Sequence, residues 1–221
     1  MLKRKLKLIL DVVMYVLFII LMGYHITGSK IHEILGVITF LIFIIHNVIN
    51  YKWYKTIFKG KYTLFRRIQV ISNILLLISL TGMIVSGVMI SGHVFSFLNL
   101  KTTMFGRELH MVSTSWGFIL MSIHLGFHIG ILIRKLNKKM KNSMFEYIYY
   151  LIVFLICAFG IYSFIKTKIW NDMFLIIKFK FFDMNQSLWI FYLEHLAISI
   201  VISLMTYELI KISRNKKERN K

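Results

Sequence analysis

The chain has 221 residues, 57% of them hydrophobic, no proline, and a net charge of +19, with a mean hydropathy of +0.69. Globular proteins sit nearer 45–50% apolar, and the long unbroken apolar blocks exclude a soluble fold and predict a polytopic helical membrane protein. The charge excludes nothing by its size alone, but its location in short segments between apolar blocks argues against nucleic-acid binding.

In chain order, the first block, 7–27, predicts a span and not a cleaved signal peptide. It is long, carries Tyr, His and Asp, and lacks a small-residue cleavage site. The second, 31–51, contains His32 and His46. The loop 52–67, KWYKTIFKGKYTLFRR, is basic and aromatic, and belongs at a headgroup layer with Trp53, Tyr54 and Tyr62 as anchors. A third span, 68–91, carries Gly82 and Gly87. A fourth, 108–133, carries His110, His124 and His128. Spans at 145–165 and 188–210 complete a set of six. Segment 167–187 is too apolar to float free, and its KFKFF alternation fits an interfacial or a re-entrant piece equally. No segment between spans is long enough to form its own core. The reading is therefore all-α: one integral membrane domain over 1–221, with a functional core at about 7–133 and additional helices at about 144–211. The single Cys157 lies in an apolar span, so an intrachain disulfide or a cysteine-based metal site is excluded.

With six spans, 21 of the 28 Lys and Arg residues fall on one side: at the N-terminus, in 52–67, in 134–141, and from Lys211 onward. The positive-inside bias then predicts cytoplasmic N- and C-termini, with the basic segments drawn to anionic lipid.

The histidines carry the strongest signal. His32 and His46 are 14 residues apart on span 2, and so are His110 and His124 on span 4. Fourteen residues of α-helix rise about 21 Å and return to within roughly 40° of the starting direction. Each pair therefore lies on one side of its helix, at two depths. Spans 2 and 4 run in the same direction, from outside to inside. If they face each other, His32 is level with His110 and His46 with His124. Two imidazoles facing across a gap can ligate one haem iron axially, so the pattern describes two haems: an outer one on His32 and His110 and an inner one on His46 and His124. Single buried histidines often only hydrogen-bond between helices, but two matched pairs on parallel helices are harder to obtain that way.

Other residues are placed around this frame. His128, one turn past His124, is a haem-edge or propionate candidate, or a plain interfacial histidine. His25 and His93 lie at the outer surface, near a haem edge. His195, after Glu194 in span 6, has no haem-spaced partner and stays unassigned. A flat macrocycle needs small wall residues, and Gly36 and Gly117 stand one and about two turns past His32 and His110. Arg107 is the propionate candidate on the outer side; Lys52, Arg66 and Arg67 are on the inner side. The rival readings are a histidine-based divalent metal transporter and a haem-free membrane accessory protein.

At these residues the chain resembles di-haem cytochrome b membrane proteins: the cytochrome b subunits of quinol-oxidising complexes, ferric reductase-like membrane domains, and the cytochrome subunits of formate dehydrogenases and hydrogenases. Through GYHITGSKIHEILG, HNVINYKWY, TGMIVSG and RELHMVSTSWGFILMSIHLGFHIG, roughly 23–130, it is also similar to a small bacterial membrane family of unknown function. The resemblance implies haem b ligation by His32, His46, His110 and His124, a bacterial cell membrane, and transmembrane electron transfer, but no particular reaction. The expected function is an electron-transfer protein or the membrane subunit of an oxidoreductase of quinol or ferric reductase type. The chain has no glycine-rich phosphate loop for a flavin or nicotinamide. The expected partners are thus membrane lipid, a quinone, and a redox partner protein, with no nucleic acid.

Overall fold

A computed structural model of the chain describes residues 2–60, 62–139, 143–179 and 186–219. Among these there is no strand. The helices are α1 (Leu2–Met22), α2 (Tyr24–Ile49), α3 (Tyr51–Thr56), α4 (Leu64–Ile90), α5 (Met104–Lys139), α6 (Ser143–Thr167), α7 (Ile169–Met173) and α8 (Leu188–Arg219).

Five of them are long and apolar enough to cross a membrane: α2, α4, the Met104–Gly130 part of α5, Glu146–Thr167 of α6, and Leu188–Ser213 of α8. Helix α1 is not among these five, because Lys5, Lys7 and Asp11 interrupt its apolar run. The outward faces agree with lipid contact. Ile31, Ile38, Leu41, Ile45 and Val48 of α2 are exposed, as are Ile71, Leu75 and Ile78 of α4. Apolar surface on this scale is not left to water by a soluble monomer.

The first boundary differs from the expected one. The apolar run to Thr27 is split: α1 ends at Met22, Gly23 is the hinge, and α2 already begins at Tyr24. Inside α2 a kink falls at Gly28, with φ 72° and ψ 166°, a conformation open to glycine at little cost. The GYHITGS sequence thus holds both the turn and a kinked first turn and a half of α2. The described part of 167–187 is neither a free loop nor a span. It opens with the short helix α7, with Ile169 and Asp172 buried, pinned to α5 by Trp116 Nε1 donating to the Met173 carbonyl at 3.1 Å, and continues as exposed non-helical chain over 174–179. Most of the KFKFF stretch lies outside the described residues.

Helix α5 is the central strut. It packs along α4 and α8 and carries α7, while α8 packs on α6. Helices α1 and α2 form a hairpin that reaches the rest through α1 against α8 and a slight touch of α2 on α4. The core joins Phe18, Ile19 and Met22 of α1 to Phe118 of α5, Ile169 of α7, and Phe191 and Ile198 of α8. Small residues let the backbones approach: a Cβ on Gly126 would stand 2.7 Å from the Ser203 carbonyl, and one on Gly160 only 2.6 Å from that of Ala197. Since α2 leans on α1 and not on α5, a gap opens between α2 and the α4–α5 pair.

Candidate functional site

That gap is a cavity of about 1490 Å³ walled by α1, α2, α4 and α5. It exceeds the roughly 300–1,000 Å³ of an ordinary small-molecule pocket. The surfaces of His32, His46, His110, His124 and His128 all contribute to its lining, with Gly36, Gly87 and Arg107.

At one end His32 of α2 and His110 of α5 stand with ring centres 6.2 Å apart and planes at 72°. Imidazole–metal bonds of about 2.0–2.1 Å, plus roughly 1.1 Å from each nitrogen to its ring centre, place the ring centres of a bis-histidine site about 6.3 Å apart. The observed ring separation is of that size. His110 Nδ1 lies 3.2 Å from the Met83 carbonyl and 3.1 Å from Ser86 Oγ, which itself donates to the Gly82 carbonyl at 2.6 Å. A carbonyl only accepts, so the proton is on Nδ1 and the Nε2 lone pair is left for a ligand. Gly87 lies beside this ring, where a Cβ would make an ordinary contact with His110 Cε1 at 3.7 Å. His32 Nδ1 is buried and has no hydrogen-bond partner among the described residues. Buried polar atoms are nearly always paired, which sets this one apart from Nδ1 of the other three.

At the other end His46 Nδ1 lies 2.8 Å from Asp11 Oδ1 and His124 Nδ1 lies 2.9 Å from Asn73 Oδ1. Both partners accept, so both rings again keep Nε2 free. His128 stacks near His124, ring centres 4.9 Å apart. Asn47, Asn50, Trp53 and Tyr54 also line the cavity here. Tyr54 donates to Asn47 Oδ1, and partial burial raises its phenol above the ordinary value.

The two ends are clamped separately. Glu33, next to His32, accepts at Oε2 from Ser91 Oγ (2.7 Å), His93 N (3.0 Å) and Val94 N (2.8 Å), and at Oε1 from Gly92 N (3.0 Å). This ties α2 to the loop after α4, helped by Ser29 Oγ and His93 Nε2 at 3.0 Å. At the far end Lys7 Nζ donates to the Ile49 carbonyl (3.2 Å) and Asn50 Oδ1 (3.0 Å), tying α1 to the end of α2.

Two residues read as part of the site lie elsewhere. Gly117 faces Phe18 (3.6 Å from a Cβ) and Ser79, so it serves helix packing and not the cavity wall. His25 stands against the Phe191 ring, centres 4.8 Å apart, outside the cavity lining. His195 is in the opposite half of the bundle. It donates from Nδ1 to the Phe191 carbonyl at 2.9 Å, beside Glu194, which accepts from Lys166 (2.5 Å) and Gln186 (2.7 Å).

Sequence reasoning did not single out Asp11, Asn73, Ser86 or Glu33. The available signal was that each is a polar side chain within an apolar helix, which is rarely kept without a task. No family model matches the chain, and no curated protein or solved structure matches it either.

Proposed function

We propose that the chain is a di-haem b-type membrane cytochrome that carries electrons between the two faces of a membrane. The supporting observation is the set of four imidazoles on α2 and α5 around one cavity. Three of them have Nδ1 committed to an acceptor, and the fourth keeps a buried unpaired nitrogen. His32 and His110 would hold one haem b, and His46 and His124 the other. Haem supplies one-electron redox chemistry when bound. The protein's part is to fix the ring tautomers through Met83, Asp11 and Asn73, to hold α2 at the right distance through Glu33 and Lys7, and to exclude water with apolar walls.

In this reading α1 is a sixth span despite its charges: Lys5 and Lys7 stay at the cytoplasmic surface, and Asp11 is spent on His46. Both termini are then cytoplasmic, the His46 end is the inner one, and the His32 end is the outer one. Arg107 at the outer end suits a propionate, and His128 one at the inner end. The electron partners are a quinol or a cytoplasmic reductase on one side and an acceptor at the outer face. A histidine-based cation transporter would need ligands converging on a point. Among the described residues no group of three or more His, Cys, Asp or Glu is set to hold a metal ion.

The test is the visible spectrum of the purified protein, oxidised and dithionite-reduced, with haem counted as the pyridine haemochrome. Six-coordinate low-spin b-type bands and two haems per chain are expected. A colourless protein carrying stoichiometric zinc or manganese would sink the reading, and one with neither would point to an accessory role.

A further inference from the structure

The two histidine pairs are built alike but charged differently. At the inner end the partner of a ligand is a carboxylate: Asp11 Oδ1, 2.8 Å from His46 Nδ1. At the outer end the partners of His110 are the neutral Met83 carbonyl and Ser86 hydroxyl, and His32 Nδ1 has none among the described residues. The wider lining shows the same contrast. Arg107 of α5 and Lys178, from the segment after α7, line the cavity together with Glu33, whose carboxylate is already held by Ser91 and three backbone amides. Asp11 is the one charged residue among the described lining residues of the inner end. The nearest cation along α1, Lys7, directs its Nζ to Ile49 and Asn50 instead.

A carboxylate accepting the outer N–H of a ligating imidazole makes that ring more basic and electron-donating. Electron donation and nearby negative charge favour the ferric state, and cations nearby favour the ferrous one. We infer that Asp11 is a positioning residue that makes the His46–His124 pair the lower-potential of the two haem sites. With haem bound at both pairs, the downhill direction for an electron would then be from the inner pair to the outer pair, the inner iron going from ferrous to ferric as the outer went from ferric to ferrous. The electron is supplied by a reductant at the cytoplasmic face. This inference rests on the di-haem reading above.

The experiment is a potentiometric titration of the full-length purified holoprotein, followed in the haem absorption bands. Wild type should give two resolved waves. Asp11→Asn retains an acceptor for His46 but removes the charge. It should raise the lower wave by at least a tenfold change in the oxidised-to-reduced ratio, about 59 mV for one electron, and leave the upper wave in place. Asp11→Glu should restore the wild-type lower wave. An unmoved lower wave, or movement of the upper one, overturns the inference. If Asp11→Asn loses haem, His32→Ala and His110→Ala decide: the haem each retains must titrate at the lower wild-type potential, and retention of the higher one overturns the inference. Wild-type protein without haem absorption fails the di-haem reading itself, whereas two haems with unchanged potentials in Asp11→Asn fails only the role of Asp11.

Discussion

Each imidazole has two nitrogens, and what holds one decides what the other can do. Met83, Asp11 and Asn73 hold Nδ1 of His110, His46 and His124, so in the proposed di-haem reading these groups would act on a bound haem through the ring. Removing such a partner typically costs 10–100-fold in affinity, without removing the ligand. Asn73→Ala should therefore weaken haem retention at the inner pair about 10–100-fold, read as haem per chain after washing, with the outer haem intact. His124→Ala should remove the inner haem outright, and His110→Ala the outer one, as seen by pyridine haemochrome and by which spectral component disappears. If His128→Ala removes the inner haem while His124→Ala leaves it, the 14-residue register is wrong. The register could be found in the sequence because helical periodicity fixes which residues share a face. Asp11, Asn73 and Ser86 could not be assigned the same way, because their roles depend on how α1 and α4 are rotated against α2 and α5.

Among the helices, α2 depends most on a few polar ties. It has little packing against α4 and relies on Glu33 at one end and Lys7 at the other to hold its distance. Glu33→Gln loses the charge and leaves one acceptor oxygen for donors that now share two. Hydrogen bonds to charged groups contribute about 1.5–3 kcal/mol each and are not additive, so a net loss of about 1–3 kcal/mol is expected. The measurement is thermal unfolding in detergent, with earlier release of the outer haem than the inner. Equal release of both would show that the clamp does not act locally. Helices α6 and α8 depend on close approach instead. Gly160→Val puts side-chain atoms where a Cβ already stands 2.5 Å from Val201 Cγ2 and 2.6 Å from the Ala197 carbonyl. Overpacking of this kind costs about 1–3 kcal/mol and should lower the unfolding temperature while leaving the proposed haems in place, since no described residue of α6 lines the cavity. The sequence misplaced Gly117 for a related reason. Spacing put it on the His110 helix but could not tell that its side of α5 meets Phe18.

For the molecule as a whole, the apolar blocks and their order were legible because a span needs about 20 apolar residues whatever it packs against. The start of the chain was less so. A continuous apolar run to Thr27 hid the break at Gly23, and the charges of α1 hid whether it spans. This decides the orientation of everything after it. With α1 spanning and the N-terminus cytoplasmic, as proposed, Lys59 between α3 and α4 would be cytoplasmic and Asn99 between α4 and α5 outside. With the N-terminus on the other side of the membrane, the two exchange places. Both positions are exposed, and the one native cysteine, Cys157, sits in α6. Lys59→Cys and Asn99→Cys, each in a Cys157→Ser background, can therefore be probed in intact cells with a membrane-impermeant maleimide. Asn99→Cys should label from outside, and Lys59→Cys only after the membrane is opened. The reverse pattern would put the His46 end outside and reverse the assigned direction of electron flow. The pairing of His32 with His110 would be untouched, because it depends on the parallel run of α2 and α5 and not on which face the cytoplasm meets.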